Sequence, residues 1–153
     1  MALGPLTIGI LLRHNPYNGV TASPLDCTVD IIFMLDESGS IGLNDDFVLM
    51  KSFLSHLVGR LDIDSGNTRV GLATYSAYVG TTINLNEYTS VASLQSKISS
   101  LYPSRGGTDT AAALSYVRTE MLTAAAGDRI NVPNVVVVLT DGGSFSLSST
   151  RVS

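Results

Sequence analysis

The chain has 153 residues, 44% of them hydrophobic and 14% charged, which is enough apolar material for one buried core and too few charges for a disordered chain. Nine basic and 13 acidic residues give a net charge of −4, with no basic stripe to attract nucleic acid, and no apolar run is long enough to span a bilayer. Cys27 is the single cysteine, so no intrachain disulfide can form.

Residues 3–12, LGPLTIGILL, form a short apolar stretch, and Val20-Thr21-Ala22 offers a small-residue cleavage site. Together they resemble a weak export signal. No basic residue precedes the stretch, Pro5 interrupts it, and Arg13 and His14 end it. Pro16, Asn18, Gly19 and Pro24 make residues 13–29 read as a linker. Residues 1–26 are therefore assigned to an N-terminal segment and 27–153 to the domain.

Order is expected from about Asp30. The run IIFML, 31–35, suits a strand buried on both faces, as in a parallel sheet. It ends in DESGSIG, a loop of small polar residues. A helix follows, with Asn44 as N-cap and Asp45 and Asp46 in its first turn, where the helix dipole favours acids. Phe47, Met50, Phe53, Leu54, Leu57, Val58 and Leu61 form its apolar stripe. RVGLATY, 69–75, reads as a second strand. Ser76-Ala77 then leaves room only for a tight hairpin before YVGTTINL, which alternates at Val79, Thr81, Ile83 and Leu85; this third strand is antiparallel and at an edge. Tyr75 and Tyr78 are assigned to sheet packing.

A short helix is expected from about Thr89, with Val91, Leu94, Ile98 and Leu101 on one side. Pro103 to Gly107 is a loop, and residues 109–122 form another helix with Leu114, Val117 and Met121 on one face. VVVVL, 135–139, is a fourth strand buried on both faces, ending in TDGGS. The order β-α-β-β-α-α-β implies an α/β fold. The expected architecture is a Rossmann-like open sheet, mostly parallel with one antiparallel edge strand, and helices on both faces.

The site follows from this layout. In an open α/β sheet, ligands bind beyond the carboxyl ends of the strands, where the winding reverses. Right-handed crossovers make the first and fourth strands parallel neighbours, so Asp36 and Asp141 emerge side by side. Two unpaired carboxylates repel each other, and a divalent cation removes the conflict. Ser38 and Ser40 are two residues apart in a sharp loop, and Thr108 heads a helix behind Gly106 and Gly107. Two carboxylates and three hydroxyls form an all-oxygen set that suits Mg²⁺, Mn²⁺ or Ca²⁺ and not Zn²⁺. Neutral hydroxyls leave the cation under-neutralised, so an acidic group from outside completes its shell. Glu37 and Asp109 are read as solvated or capping residues. Arg105 lies on the loop before Thr108 within reach of a partner. His14 and His56 are structural.

These residues resemble a von Willebrand factor type A domain. DIIFMLDESGSIG resembles the family's opening strand and Asp-x-Ser-x-Ser loop, GGTDTAAAL its threonine loop and helix, and VVVVLTDGGS its fourth strand and Asp-Gly turn. The resemblance runs from Cys27 to about Gly143. It implies a metal-ion-dependent adhesion site in which Ser38, Ser40 and Thr108 contact the ion through hydroxyls, while Asp36 and Asp141 act mostly through water or from behind. The wording is most similar to extracellular matrix members of the collagen and matrilin kind, in which a cysteine placed like Cys27 pairs with one after the last helix.

The resemblance further implies secretion and adhesion to an extracellular matrix or cell-surface protein through an acidic residue, without nucleic acid, membrane span or enzymatic activity. The family continues with further helices and strands, whereas this chain ends at Ser153. The expectation is therefore a C-terminally truncated domain whose VVVVL strand is a bare apolar edge. Two alternatives accompany this reading. One is a non-autonomous structural or regulatory fragment. The other, more remote, is a metal-dependent hydrolase, which lacks any nucleophile elbow, phosphate loop or placed histidine.

Overall fold

The computed structural model describes residues 7–13, 28–39 and 45–140. Cys27, Ser40, Asn44, Asp141, His14 and the tail lie outside the described residues. The two apolar runs do what a doubly buried strand must do. β2 (Val29–Asp36) occupies the middle of the sheet, with β3 (Thr68–Tyr75) parallel on one side and β5 (Asn134–Thr140) parallel on the other. β4 (Val79–Ile83) runs antiparallel to β3 and forms an edge. The order of the five strands, β1-β5-β2-β3-β4, contains the predicted arrangement.

The addition is β1 (Thr7–Arg13), which pairs antiparallel with all of β5, from Thr7 opposite Thr140 to Arg13 opposite Asn134. The expectation of a bare VVVVL edge is therefore corrected. A short apolar run reads equally well as the core of an export signal or as a strand, because periodicity does not separate the two. With β1 in place β5 has a neighbour on each side, and the exposed residues Ile8 and Ile10 lie on the new edge strand.

Alternate residues of β2 face opposite sides, and each side has its own core. On one, Phe33, Leu35, Leu72 and Leu139 pack against α1 (Asp45–Val58) and α2 (Val91–Ser99) through Phe47, Met50, Leu54, Leu94 and Ile98. On the other, Ile32, Met34, Ala73 and Val138 pack against Ala113, Leu114, Val117 and Met121. The last helix is shorter than predicted. α3 (Thr110–Tyr116) gives way to a single π-helical turn, Val117–Met121, which still delivers Val117 and Met121 to the core. Two apolar assignments are overturned: Phe53 and Tyr78 are exposed, Phe53 because it lies beyond the α1 stripe and Tyr78 because it belongs to the β3–β4 turn.

At the start of β2, Asp30 is fully buried and bound by Arg129, whose Nη2 and Nε lie 2.6 and 2.9 Å from its Oδ1. The same guanidinium donates to the carbonyls of Gly66, Val29 and Asn67. This staple closes the end of the sheet opposite the strand carboxyl ends. Among the described residues no helix is long and apolar enough to cross a membrane.

Candidate metal centre

Parallel pairing brings the carboxyl ends of β2, β3 and β5 to one rim, where the winding reverses. Asp36 is the last residue of β2 and is fully buried. Its two carboxylate oxygens are oriented separately. Oδ1 accepts the backbone N–H of Ser38 at 2.9 Å, and Oδ2 accepts the hydroxyl of Thr140 at 2.7 Å. The first bond tightens the turn after the strand. The second follows from register: Leu35 is opposite Leu139, so the next residues, Asp36 and Thr140, end their strands side by side.

Ser38 is buried directly after that turn. Its loop is joined to the loop before α3 by a bond from Gly39 N–H to Gly106 C=O, 2.9 Å long. A Cβ at Gly39 would meet that same carbonyl at an ordinary contact distance, 3.5 Å. Thr108 is half-buried on the second loop and is not the helix cap. That role belongs to Asp109, whose carboxylate accepts from Ala112 N–H at 2.9 Å. Of the two readings of Asp109, solvated or capping, the structure shows capping.

Of the five predicted site residues, the loops of Asp36, Ser38 and Thr108 meet, while Ser40 and Asp141 lie outside the described residues. Asp141 directly follows Thr140, the residue bonded to Asp36. The donor chemistry suits a hard cation: one buried carboxylate and hydroxyls on two adjoining loops, with no cationic partner for Asp36 among the described residues. A desolvated carboxylate gains from a cation more than an exposed one does.

The linear reading missed three residues. Thr140 looked like the end of an apolar strand, and nothing local shows that its hydroxyl turns to Asp36. Glu37 reads as solvated or capping in sequence, yet it is 2% exposed. Ser104 donates its hydroxyl to Glu37 Oε1 at 2.7 Å. No sequence signal marks this pair, because the two residues are 67 positions apart. Arg105 is exposed and has a left-handed backbone, φ 57°.

The described residues thus define an open, doubly wound α/β domain with an oxygen-rich loop cluster at its switch point. The sequence profile of the von Willebrand factor type A domain matches residues 30–152, and the chain belongs to that family. Over 117 residues, 75% of this chain, it is 38% identical to the collagen alpha-4(VI) chain of Mus musculus, covering 5% of that protein. Over 74% of the chain it is 32% identical to matrilin-3 of Gallus gallus, covering 26% of it. Among solved structures, proximal thread matrix protein 1 from the mussel byssus with a zinc-occupied MIDAS motif superposes with a TM-score of 0.63 at 27% identity; the match covers 68% of this chain and 28% of that one. The chain thus spans about a quarter or less of these two curated relatives.

Proposed function

We propose that this chain is an adhesion module that coordinates a divalent cation and uses it to grip an acidic residue of an extracellular matrix or cell-surface protein. Asp36, Ser38, Ser40, Thr108 and Asp141 are the proposed ion-holding residues. The observation that carries the reading is the orientation of Asp36. Its buried carboxylate is held by Ser38 N–H and Thr140 Oγ1, and the loops that carry Ser38 and Thr108 are bonded to each other. A bound Mg²⁺, Mn²⁺ or Ca²⁺ would supply an exchangeable coordination position for an incoming carboxylate. The fully buried Asp36 would keep water from the inner side of such an ion.

The relatives support the setting: they include collagen and matrilin chains, and a structural neighbour carries zinc in the corresponding kind of motif. Zinc therefore belongs among the ions to be tested, although the donor set favours harder cations. We further propose that the protein is extracellular and not an enzyme. Residues 27–153 are taken as the type A unit, with residues 1–26 as an N-terminal extension that contributes β1.

Isothermal titration of Mg²⁺, Mn²⁺, Ca²⁺ and Zn²⁺ into the purified chain tests the reading. At least one ion should bind with one-to-one stoichiometry and lose measurable affinity in Asp36→Ala. Equal binding by both proteins would remove the ion from Asp36. In parallel, attachment to immobilised matrix proteins should be abolished by a chelator and restored by the ion that titrates. Turnover of a phosphate ester that depends on metal and on Asp36 would replace adhesion with hydrolysis.

A further inference from the structure

One buried carboxylate beside the candidate ion site plays no part in the reading above. Glu37 follows Asp36 directly, and its side chain enters a polar recess bounded by the β3–β4 hairpin and the loop before Thr108. The Ser104 hydroxyl donates to its Oε1 at 2.7 Å, and Ser76 Oγ lies 3.2 Å from Ser104 Oγ. On the hairpin side the recess exists because residue 80 is glycine. A Cβ there would overlap Glu37 Oε1 and lie 2.6 Å from Thr74 Oγ1. Thr74 Oγ1 is itself fixed by Thr81 N–H at 2.8 Å.

The main chain continues the connection. Arg105 N–H donates to Glu37 C=O at 3.2 Å, and Gly39 N–H donates to Gly106 C=O at 2.9 Å. Residues 37–39 and 104–106 are therefore joined by at least three bonds, one of them made by the Glu37 side chain. The loop held in this way includes a non-glycine residue in the left-handed region, Arg105 at φ 57°. A non-glycine residue keeps such a conformation only where its surroundings over-determine it. Glu37 N–H is in turn anchored to Tyr75 C=O at 2.8 Å, and Asp109 N–H, just past Thr108, donates to Ser76 C=O at 2.8 Å.

We infer that Glu37 is a positioning residue: its buried carboxylate, seated against Gly80, locks the loop carrying Thr108 onto the loop carrying Ser38. The hydroxyls of the two loops are then set in place before an ion arrives. The consequence for affinity rests on the reading that Ser38 and Thr108 share an ion; the locking of the loops does not. If the locked loop is the competent state, losing it lowers apparent affinity by the fraction of molecules that remain locked.

The test uses the full chain without metal and four variants, Ser104→Ala, Glu37→Ala, Glu37→Gln and Gly80→Ala. Amide hydrogen exchange is followed at Arg105 and Asp109 and, as reference, at Phe33 and Leu72 inside the sheet. Ser104→Ala and Glu37→Ala should speed exchange at Arg105 and Asp109 by about tenfold, the scale of one well-formed hydrogen bond, and leave Phe33 and Leu72 unchanged. Gly80→Ala, which displaces the carboxylate without altering it, should match Glu37→Ala. Glu37→Gln keeps an oxygen for Ser104 and should restore most of the protection. Mg²⁺ titration should show affinity falling in the same order.

Unchanged exchange at Arg105 and Asp109 in Ser104→Ala and Glu37→Ala would overturn the inference. So would a loss of protection in the sheet that keeps step with the loop, since that is what a purely structural acid would give. If the parent chain takes up no ion, the metal reading fails by itself, and the exchange data still decide the role of Glu37.

Discussion

Removing the Arg129 side chain tests how the sheet is held at the end opposite the candidate ion site. In Arg129→Ala, Asp30, fully buried in the parent, keeps one of its bonds to residue 129, from the backbone N–H to Oδ2 at 2.9 Å. It loses Nε at 2.9 Å and Nη2 at 2.6 Å from Oδ1. The carbonyls of Gly66, Val29 and Asn67 lose donors as well. Breaking a buried ion pair by removing one partner costs roughly 3–5 kcal/mol, because the remaining charge is left uncompensated. The Arg129 side chain is 21% exposed, so water can enter the space it leaves, and the expected cost lies at the low end, about 3 kcal/mol. For a chain of this size that corresponds to a drop in Tm of roughly 6–12 °C.

Urea and thermal unfolding followed by far-ultraviolet circular dichroism would measure the loss. The double variant Asp30→Asn with Arg129→Met should recover part of it, since it leaves no buried charge unpaired. Asp30 and Asp36 are six positions apart on β2, about 20 Å along an extended strand, so ion affinity in Arg129→Ala should match the parent. A cost below about 1 kcal/mol, the scale of a surface ion pair, would refute the claim that this pair holds the sheet. A parallel loss of ion affinity would refute the separation of the two ends.

Three further outcomes follow from the geometry. Thr140→Val removes the hydroxyl 2.7 Å from Asp36 Oδ2, and should lower stability by about 1–3 kcal/mol in urea titrations and weaken ion binding by calorimetry. A chain lacking residues 1–13 exposes the full edge of β5, and should self-associate in light scattering where the full chain does not; a monodisperse truncated chain would show that β1 does not guard this edge. Gly127→Ala places a Cβ 2.7 Å from Asn86 N at a residue with φ 94°, and should cost roughly 1–3 kcal/mol in thermal unfolding.

Much of this architecture was legible in the residues alone, because burial is written locally. IIFML and VVVVL are apolar at every position, which only strands covered on both faces require, and they became the central parallel pair β2 and β5. The Ser76-Ala77 spacing dictated a hairpin, and β4 is antiparallel to β3. Handedness and strand order then directed attention to the rim where Asp36 ends β2. What the linear sequence left undecided depends on partners distant along the chain. Thr7–Arg13 is an apolar run like many others until β5 is there to pair with it. Glu37 reads as a solvated acid until Ser104 and the gap at Gly80 enclose it. Tyr75 and Tyr78 look alike in sequence, yet one is buried within β3 and the other projects from the turn beyond it. Hydrophobic period and turn chemistry act over a few residues and can be read from the chain. A buried polar group is satisfied by whatever the folded backbone brings within about 3 Å, and only the tertiary structure decides that.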